Sequence, residues 1–252
     1  MIGFAKICLT LMLLSAVAGA VDNQPMESTK ANKDVPLTTN PGSSFWRDSR
    51  PVYAEKDTYG RPVAGYRTEI RSRWTKNNLY FLFICPYEKL HLKPSPHTKT
   101  ETFQLWDWDV AEVFIGSDFQ NIRHYKEFEV SPRGEWIDLD IDLSKPHHEE
   151  GWKWNSGFQV AARIDERAHI WYAAMRIPLS SIDQRPPADG ITFRVNLFRS
   201  QGPDHKLIVW QPTMSDTFHV PERFGILKLI DQQSNKPNNV IGRSRMKEKQ
   251  EL

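Results

Sequence analysis

Residues 105–136 read LWDWDVAEVFIGSDFQNIRHYKEFEVSPRGEW, and this stretch decides the fold. The apolar run VAEVFI and the alternating run KEFEV are separated by a Gly-Ser-Asp turn, which predicts two neighbouring strands. Side chains alternate across a strand, so Glu112 lies on one face of the first strand, and Glu127 and Glu129 share one face of the second. An unpaired carboxylate is costly to bury, so each glutamate is expected on a wet face or beside a partner.

Strand patterns continue on both sides of this stretch. Leu79–Cys85 is wholly apolar, as expected for a central strand that is covered on both faces. Trp136–Leu143 and Ile191–Phe198 alternate, and the aspartates of the former are expected to face outward. Only Leu179–Gln184 has room for a helical turn. Many short strands with turns at intervals on the order of ten residues predict an all-β fold, an antiparallel β-sandwich with a jelly-roll or immunoglobulin-like two-sheet architecture.

The N-terminal segment, residues 1–20, has the pattern of a secretory signal peptide. Lys6 precedes a short apolar run, and Ala18-Gly19-Ala20 fits the small-residue cleavage rule, so the mature chain is expected to begin at Val21. The apolar run is short for a membrane span, so no stable membrane insertion is expected after cleavage. The alternative is an uncleaved N-terminal anchor. An exported protein of this kind is periplasmic or extracellular.

The rest of the chain divides into three parts. Residues 21–40 are polar and aperiodic and are predicted to form a flexible spacer, and residues 41–231 form the sandwich domain. Residues 232–252 carry five Lys or Arg against two Glu and are predicted to be a disordered basic tail. The net charge of the whole chain is only +2, and this tail alone carries +3, so the rest of the chain is slightly negative, which argues against nucleic-acid binding. Cys85 is the only cysteine outside the signal, so no internal disulfide is expected.

Six segments, in order, resemble the family 9 carbohydrate-binding modules and their exported, DOMON-like relatives. The resemblance extends from about Phe45 to Asp231. It implies non-catalytic binding of a mono- or oligosaccharide in support of carbohydrate catabolism, a structural calcium ion, and frequent association with glycoside hydrolases. The sugar, the calcium ligands and the oligomeric state stay open. The segments are LYFLFICPY at 79–87, WDWDVAEVFIG at 106–116, YKEFEVSPRGEWID at 125–138, WYAAMRIPLSSI at 171–182, FRVNLFRSQGP at 193–203 and FHVPERFGILKL at 218–229.

The resemblance also implies a set of ligand-binding residues. Trp106 would stack on a sugar ring and Glu112 would accept hydrogen bonds from two hydroxyls, although Trp106 could instead cap the edge of the core. Arg133 and Asn196 match positions that face the ligand, but a turn position alone would also explain Arg133. Arg176 is a further candidate, with a solvated ion pair as the alternative.

The second stacking aromatic and the reaction class are open at this point. No Trp closely follows Asn196, so Phe198 and Trp210 are the candidates for the second stacking position. Abundant acids leave a glycoside hydrolase that uses the same cleft as one alternative. A haem-binding electron-transfer module is another, and Met175 is then either an axial ligand or core filling.

Overall fold

The computed structural model describes residues 24–145 and 152–232, and these residues form twelve β-strands and three short 3-10 turns. The turns are Leu105–Asp107, Leu179–Ser181 and Pro221–Arg223. The strands in chain order are β1 (Met26–Lys30), β2 (Val52–Ala54), β3 (Thr68–Trp74), β4 (Asn78–Pro86), β5 (Val110–Gly116), β6 (His124–Val130), β7 (Trp136–Asp142), β8 (Gln159–Asp165), β9 (Ile170–Pro178), β10 (Thr192–Gln201), β11 (Lys206–Val209) and β12 (Gly225–Ile230).

The strands form a nearly closed β-sandwich. One half has the strand order β7-β6-β5-β10-β12 and the other has the order β3-β4-β9-β8. Strand β1 joins the halves, because it pairs in parallel with both β12 and β3. The pairings within each half are antiparallel, with β11 added to β10 and β2 added to β3. The predicted two-sheet sandwich is confirmed, and the parallel pairs of β1 are an addition to it.

The main hydrophobic core lies between the two halves. Phe81 and Phe83 of β4 share one buried cluster with Val113 and Ile115 of β5. The alternate residues of β4 point away from this core, and Tyr80 and its neighbours pack under a separate cover that includes Trp46. Strand β4 is therefore covered on both faces, as its unbroken apolar run predicted.

The predicted spacer is wrong for the residues that the structure describes, 24–40. Strand β1 lies inside this range, and its backbone fills the gap between β12 and β3. Further on, the carboxylate of Asp34 accepts hydrogen bonds from Asn77 Nδ2 at 2.8 Å and Tyr80 Oη at 3.0 Å. The segment is held because the apolar outer face of β4 needs a cover and the two flanking strands need backbone partners. The predicted signal peptide, Val21 and the predicted tail beyond residue 232 lie outside the described residues.

Strand β7 faces the opposite way from the predicted orientation. Asp138 lies directly across from Phe128 on the side of the main core, where it is fully buried and accepts a hydrogen bond from Ser156 N at 2.9 Å. Ile137 and Leu139 point to the other face and belong to a second apolar cluster. The prediction of outward aspartates failed at Asp138 because this half of the sandwich is covered on both faces, so alternation alone does not tell the inner face from the outer one.

Candidate functional site

The outer face of β5, β6 and β7 carries a pocket of about 470 Å³. Its base is formed by strand residues that share one face: Phe114 lies directly across from Glu127, which in turn lies across from Leu139. Loops and turns that reach over this face provide the rest of the lining. The residues that line the pocket are Trp106, Glu112, Phe114, Glu127, Leu139, Leu143, Trp152, Ser200, His205, Leu207, Asp216, Thr217, Phe218 and His219.

Trp106 stands at the edge of this pocket in the 3-10 turn before β5. Its ring is half-buried and meets the ring of Phe103 edge-on, with the centroids 5.3 Å apart. The segment is fixed by Asp109, a buried carboxylate that accepts hydrogen bonds from His91 N at 3.0 Å and Gly202 N at 2.5 Å. The same carboxylate accepts a third bond from Gln201 Nε2 at 2.9 Å. Within the WDWD sequence, Trp106 thus lines the pocket and Asp109 holds the segment in place.

Three glutamates meet beneath the pocket. Glu112 lies directly across from Glu129 in the β5–β6 pair, and Glu127 precedes Glu129 by two residues on the same face. One carboxylate oxygen from each lies within 4.8 Å of the others. All three are buried, with exposed fractions of 2% for Glu112, 3% for Glu127 and 0% for Glu129. Glu112 and Glu127 also line the pocket, so two of the three acids form part of its floor.

The pKa values of these three glutamates differ from those of exposed carboxylates. Burial raises the pKa of Glu127 to about 7. Burial also raises the pKa of Glu112 and Glu129 well above the ordinary value, and repulsion between the neighbouring carboxylates adds to the effect. Four oxygens have no hydrogen-bond donor among the described residues: Oε1 of Glu112, Oε2 of Glu127 and both of Glu129.

An aromatic wall stands beside the acids. Phe218 stacks on Phe198, with centroids 4.1 Å apart and an interplanar angle of 13°. The imidazole of His219 lies 5.2 Å from the ring of Phe114, and Tyr125 Oη and His219 Nδ1 are hydrogen-bonded at 2.7 Å. These contacts fix the loop that closes one side of the pocket. The pocket therefore offers flat apolar faces beside hydrogen-bond acceptors.

Two of the predicted site residues, Trp106 and Glu112, line this pocket. Asn196 does not present its amide to a ligand: Nδ2 donates to Gln211 O at 2.9 Å and Oδ1 accepts from Leu197 N at 2.9 Å, in a fully buried position. Phe198 is also fully buried and supports Phe218 from below. Asn196 and Phe198 lie on the same face of the sheet as the pocket, but beneath the residues that line it.

The remaining predicted residues, Arg133, Arg176 and Trp210, lie away from the pocket. Arg133 is exposed on the β6–β7 turn, and its Nη1 lies 3.4 Å from the carbonyl oxygen of Lys93. Arg176 belongs to β9 in the other half, where its guanidinium donates to the side chain of Gln159. Trp210 packs so closely on Gly225 that an added Cβ there would lie 2.7 Å from the indole. The structure thus corrects their placement in one site with Trp106.

Sequence reasoning missed several residues of the pocket. Glu127 and Glu129 were visible as glutamates inside a strand, but their meeting with Glu112 depends on the β5–β6 register. Trp152 and Phe218 lie in irregular segments, where no periodic pattern marks them. With these residues in place, Trp152 and Phe218 are the aromatic side chains of the pocket that could stand opposite Trp106.

The protein is a β-sandwich with a pocket on the outer face of one half. The chain belongs to the carbohydrate family 9 binding domain-like family, which it matches over residues 42–232. It is similar in fold to a family 9 carbohydrate-binding module from Caldicellulosiruptor kristjanssonii solved with cellotriose, at a TM-score of 0.62 and 13% identity over 86% of this chain and 98% of that one. The glucose complex of a family 9 module from the same organism gives a TM-score of 0.59 and 13% identity, over 84% and 99% of the two chains.

A relative in sequence comes from Arthroderma benhamiae. It bears the name "Extracellular protein" and is 24% identical over 173 residues, which is 63% of this chain and 76% of the relative. Within residues 24–145 and 152–232, no helix is both long and apolar enough to cross a membrane.

Proposed function

We propose that this protein binds a mono- or oligosaccharide without cleaving it, in the pocket beside Trp106. The observation that carries the proposal is that the indole of Trp106 and the side chains of Glu112 and Glu127 line one pocket of about 470 Å³. A pyranose ring presents C–H groups on its faces and hydroxyls at its edge, so it needs both kinds of surface at once. The family 9 module structures from Caldicellulosiruptor kristjanssonii with cellotriose and with glucose support the same ligand class.

The geometry supports a definite binding mode. The ring of Trp106 stacks on one face of the sugar, and the carboxylate of Glu112, which lines the pocket, accepts from its hydroxyls. Lining groups come from the turn before β5, the β10–β11 hairpin and residues 216–219, so the pocket is bounded on several sides. A bounded pocket of this kind suits a chain end or a short oligosaccharide better than the middle of a long chain.

Export is part of the proposal. The secretory pattern of residues 1–20 and the name of the Arthroderma benhamiae relative both support a periplasmic or extracellular protein that serves carbohydrate catabolism. Intact mass of the secreted protein tests it, with an N-terminus at Val21 expected. A product that retains Met1 in the membrane fraction contradicts it.

A glycan array followed by titration calorimetry tests the ligand class. We expect saturable binding to one group of related glycans, at one site per chain, and competition by the matching monosaccharide or disaccharide. No binding to any member of a broad array by folded protein, with and without added calcium, would overturn the proposal.

Glycoside hydrolysis is the second candidate, and the carboxylate geometry is what favours it. Glu112 and Glu127 both line the pocket and have oxygens within 4.8 Å of each other, and a pair of neighbouring carboxyl groups is the catalytic equipment of glycosidases. Burial raises the pKa of both acids and so disfavours the charged carboxylate that a nucleophile needs, which favours binding over cleavage. Sugar release from the bound glycan that is abolished in Glu112→Gln would reverse the ranking.

A further inference from the structure

The pocket above the glutamate cluster offers little positive charge to balance it. Among the described residues that line the pocket there is no Lys or Arg, and the basic groups are the imidazoles of His205 and His219. Glu129 is the innermost member: it is fully buried, and neither of its oxygens has a hydrogen-bond partner in the described part of the chain. A buried carboxylate is costly unless it is paired, protonated or bound to a metal.

The direction of Glu129 is fixed by the fold. It lies near the C-terminal end of β6, directly across from Glu112, and it is paired on both sides, with β5 and with β7. The register of the strand pairs decides which face of the sheet this side chain occupies, so Glu129 cannot move to the other face without a shift of the whole strand. Its unpartnered carboxylate therefore points at the other two from a position that the sheet imposes.

The chemistry of the ligands favours one kind of cation. One oxygen from each of Glu112, Glu127 and Glu129 lies within 4.8 Å of the others, close enough for a single ion to contact all three. Calcium takes six to eight oxygen ligands in flexible geometry and is often held by several carboxylates. Magnesium keeps several of its waters and is usually held by only one or two carboxylates. A donor set of oxygens alone also argues against zinc or copper.

We propose that Glu112, Glu127 and Glu129 bind a calcium ion beneath the pocket and that two hydroxyls of the bound sugar complete its coordination. Glu129 holds the ion from behind, and Glu112 and Glu127 hold it from the sides that line the pocket. The carboxylates supply at most six oxygens, and calcium takes six to eight ligands, so positions remain on the open side. The second half of this inference rests on the proposed sugar binding, whereas the calcium site stands without it.

The first experiment measures calcium alone. The full exported chain, stripped with EDTA, is melted with and without calcium at about one hundred times its dissociation constant, and an increase of about 5–10 °C is expected. Glu129→Gln keeps the shape of the side chain and removes one charge, so it should lose this increase. Glu222→Gln, at an exposed position outside the pocket, is the matched control and should keep it.

Folding of the variant is checked in the same melts. In EDTA, Glu129→Gln should melt no lower than the wild type, because it removes a buried carboxyl without shortening the side chain. Terbium provides a direct readout, since Trp106 and Trp152 near the cluster should sensitise its emission in the wild type and in Glu222→Gln but not in Glu129→Gln. If Glu129→Gln does not fold, Glu112→Gln takes its place. No calcium-induced shift in the wild type, or an undiminished shift and terbium signal in the folded glutamine variant, overturns the site.

The second experiment separates this inference from the proposed function. Sugar binding to the wild type is measured by calorimetry in calcium and in EDTA, and at least a tenfold weaker affinity is expected in EDTA. Calcium binding with equal sugar affinity in both buffers overturns the bridging role alone. Sugar binding without any calcium binding overturns the whole inference and leaves the proposed function intact. Tighter binding of glucosamine than of glucose in EDTA would show that the acids recognise an amine, which also overturns it.

Discussion

Replacing Asp109 with alanine should destabilise the protein more than any other change in the WDWD sequence. The substitution removes three hydrogen bonds to a buried carboxylate and leaves the N–H groups of His91 and Gly202 without their acceptor. Each such loss costs roughly 1–3 kcal/mol. Burial raises the pKa of Asp109, so desolvation of the charge offsets part of the gain. We therefore expect a loss of roughly 3–5 kcal/mol in the free energy of unfolding.

For a domain of this size, that loss lowers Tm by about 6–20 °C. Differential scanning calorimetry measures the change, and urea unfolding gives the free energy directly. Asp107→Ala is the matched control, because Asp107 is exposed only two residues away and its loss should stay within about 0.5 kcal/mol. Equal melting temperatures for the two variants would refute the view that Asp109 anchors the segment carrying Trp106.

Three further results are expected. The pKa of Glu127 is raised from 4.5 to about 7, so the folded state binds more protons than the unfolded state between these pH values. The free energy of unfolding of the metal-free protein should therefore fall by up to about 3 kcal/mol as pH rises from 5 to 8. A free energy of unfolding in EDTA that does not change with pH would contradict this. Burial raises the pKa of the Cys85 thiol to about 12, so a thiol reagent should modify it only after unfolding, and rapid modification of folded protein would disprove its burial. Met175 is fully buried in the main core, so added haem should give no stoichiometric Soret band, and such a band would restore the electron-transfer alternative.

The fold was predictable from the sequence because strands and the turns between them leave local residue patterns. The turn between β5 and β6 and the unbroken apolar run of β4 were sufficient to predict neighbouring and central strands. Strand β1 was not predictable, since the polar sequence MESTK joins the sandwich through its backbone and leaves no apolar signature. The face of Asp138 was mistaken for a related reason: when both faces of a sheet are covered, alternation shows two faces without showing which is inner.

The site was only partly predictable because it is assembled from distant segments. Trp106 and Glu112 precede and enter the same strand, so their neighbourhood follows from local sequence. Trp152 and Phe218 come from irregular segments further along the sequence, and only the folded structure brings them to the pocket. Asn196 shows the opposite error: it was expected to face the ligand, but its side-chain amide bonds to the backbone of Gln211 and Leu197.

Titration calorimetry of Trp106→Ala beside Trp136→Ala tests whether the sugar binds against Trp106. Trp106→Ala should weaken binding of the preferred sugar by about 1–3 kcal/mol, the usual contribution of stacking on an aromatic ring, or roughly ten- to hundredfold in affinity. Trp136→Ala removes another half-buried indole, outside the pocket, and should leave the affinity unchanged. If Trp106→Ala binds like the wild type while melting at a lower temperature, Trp106 belongs to the core and the account of the site is wrong.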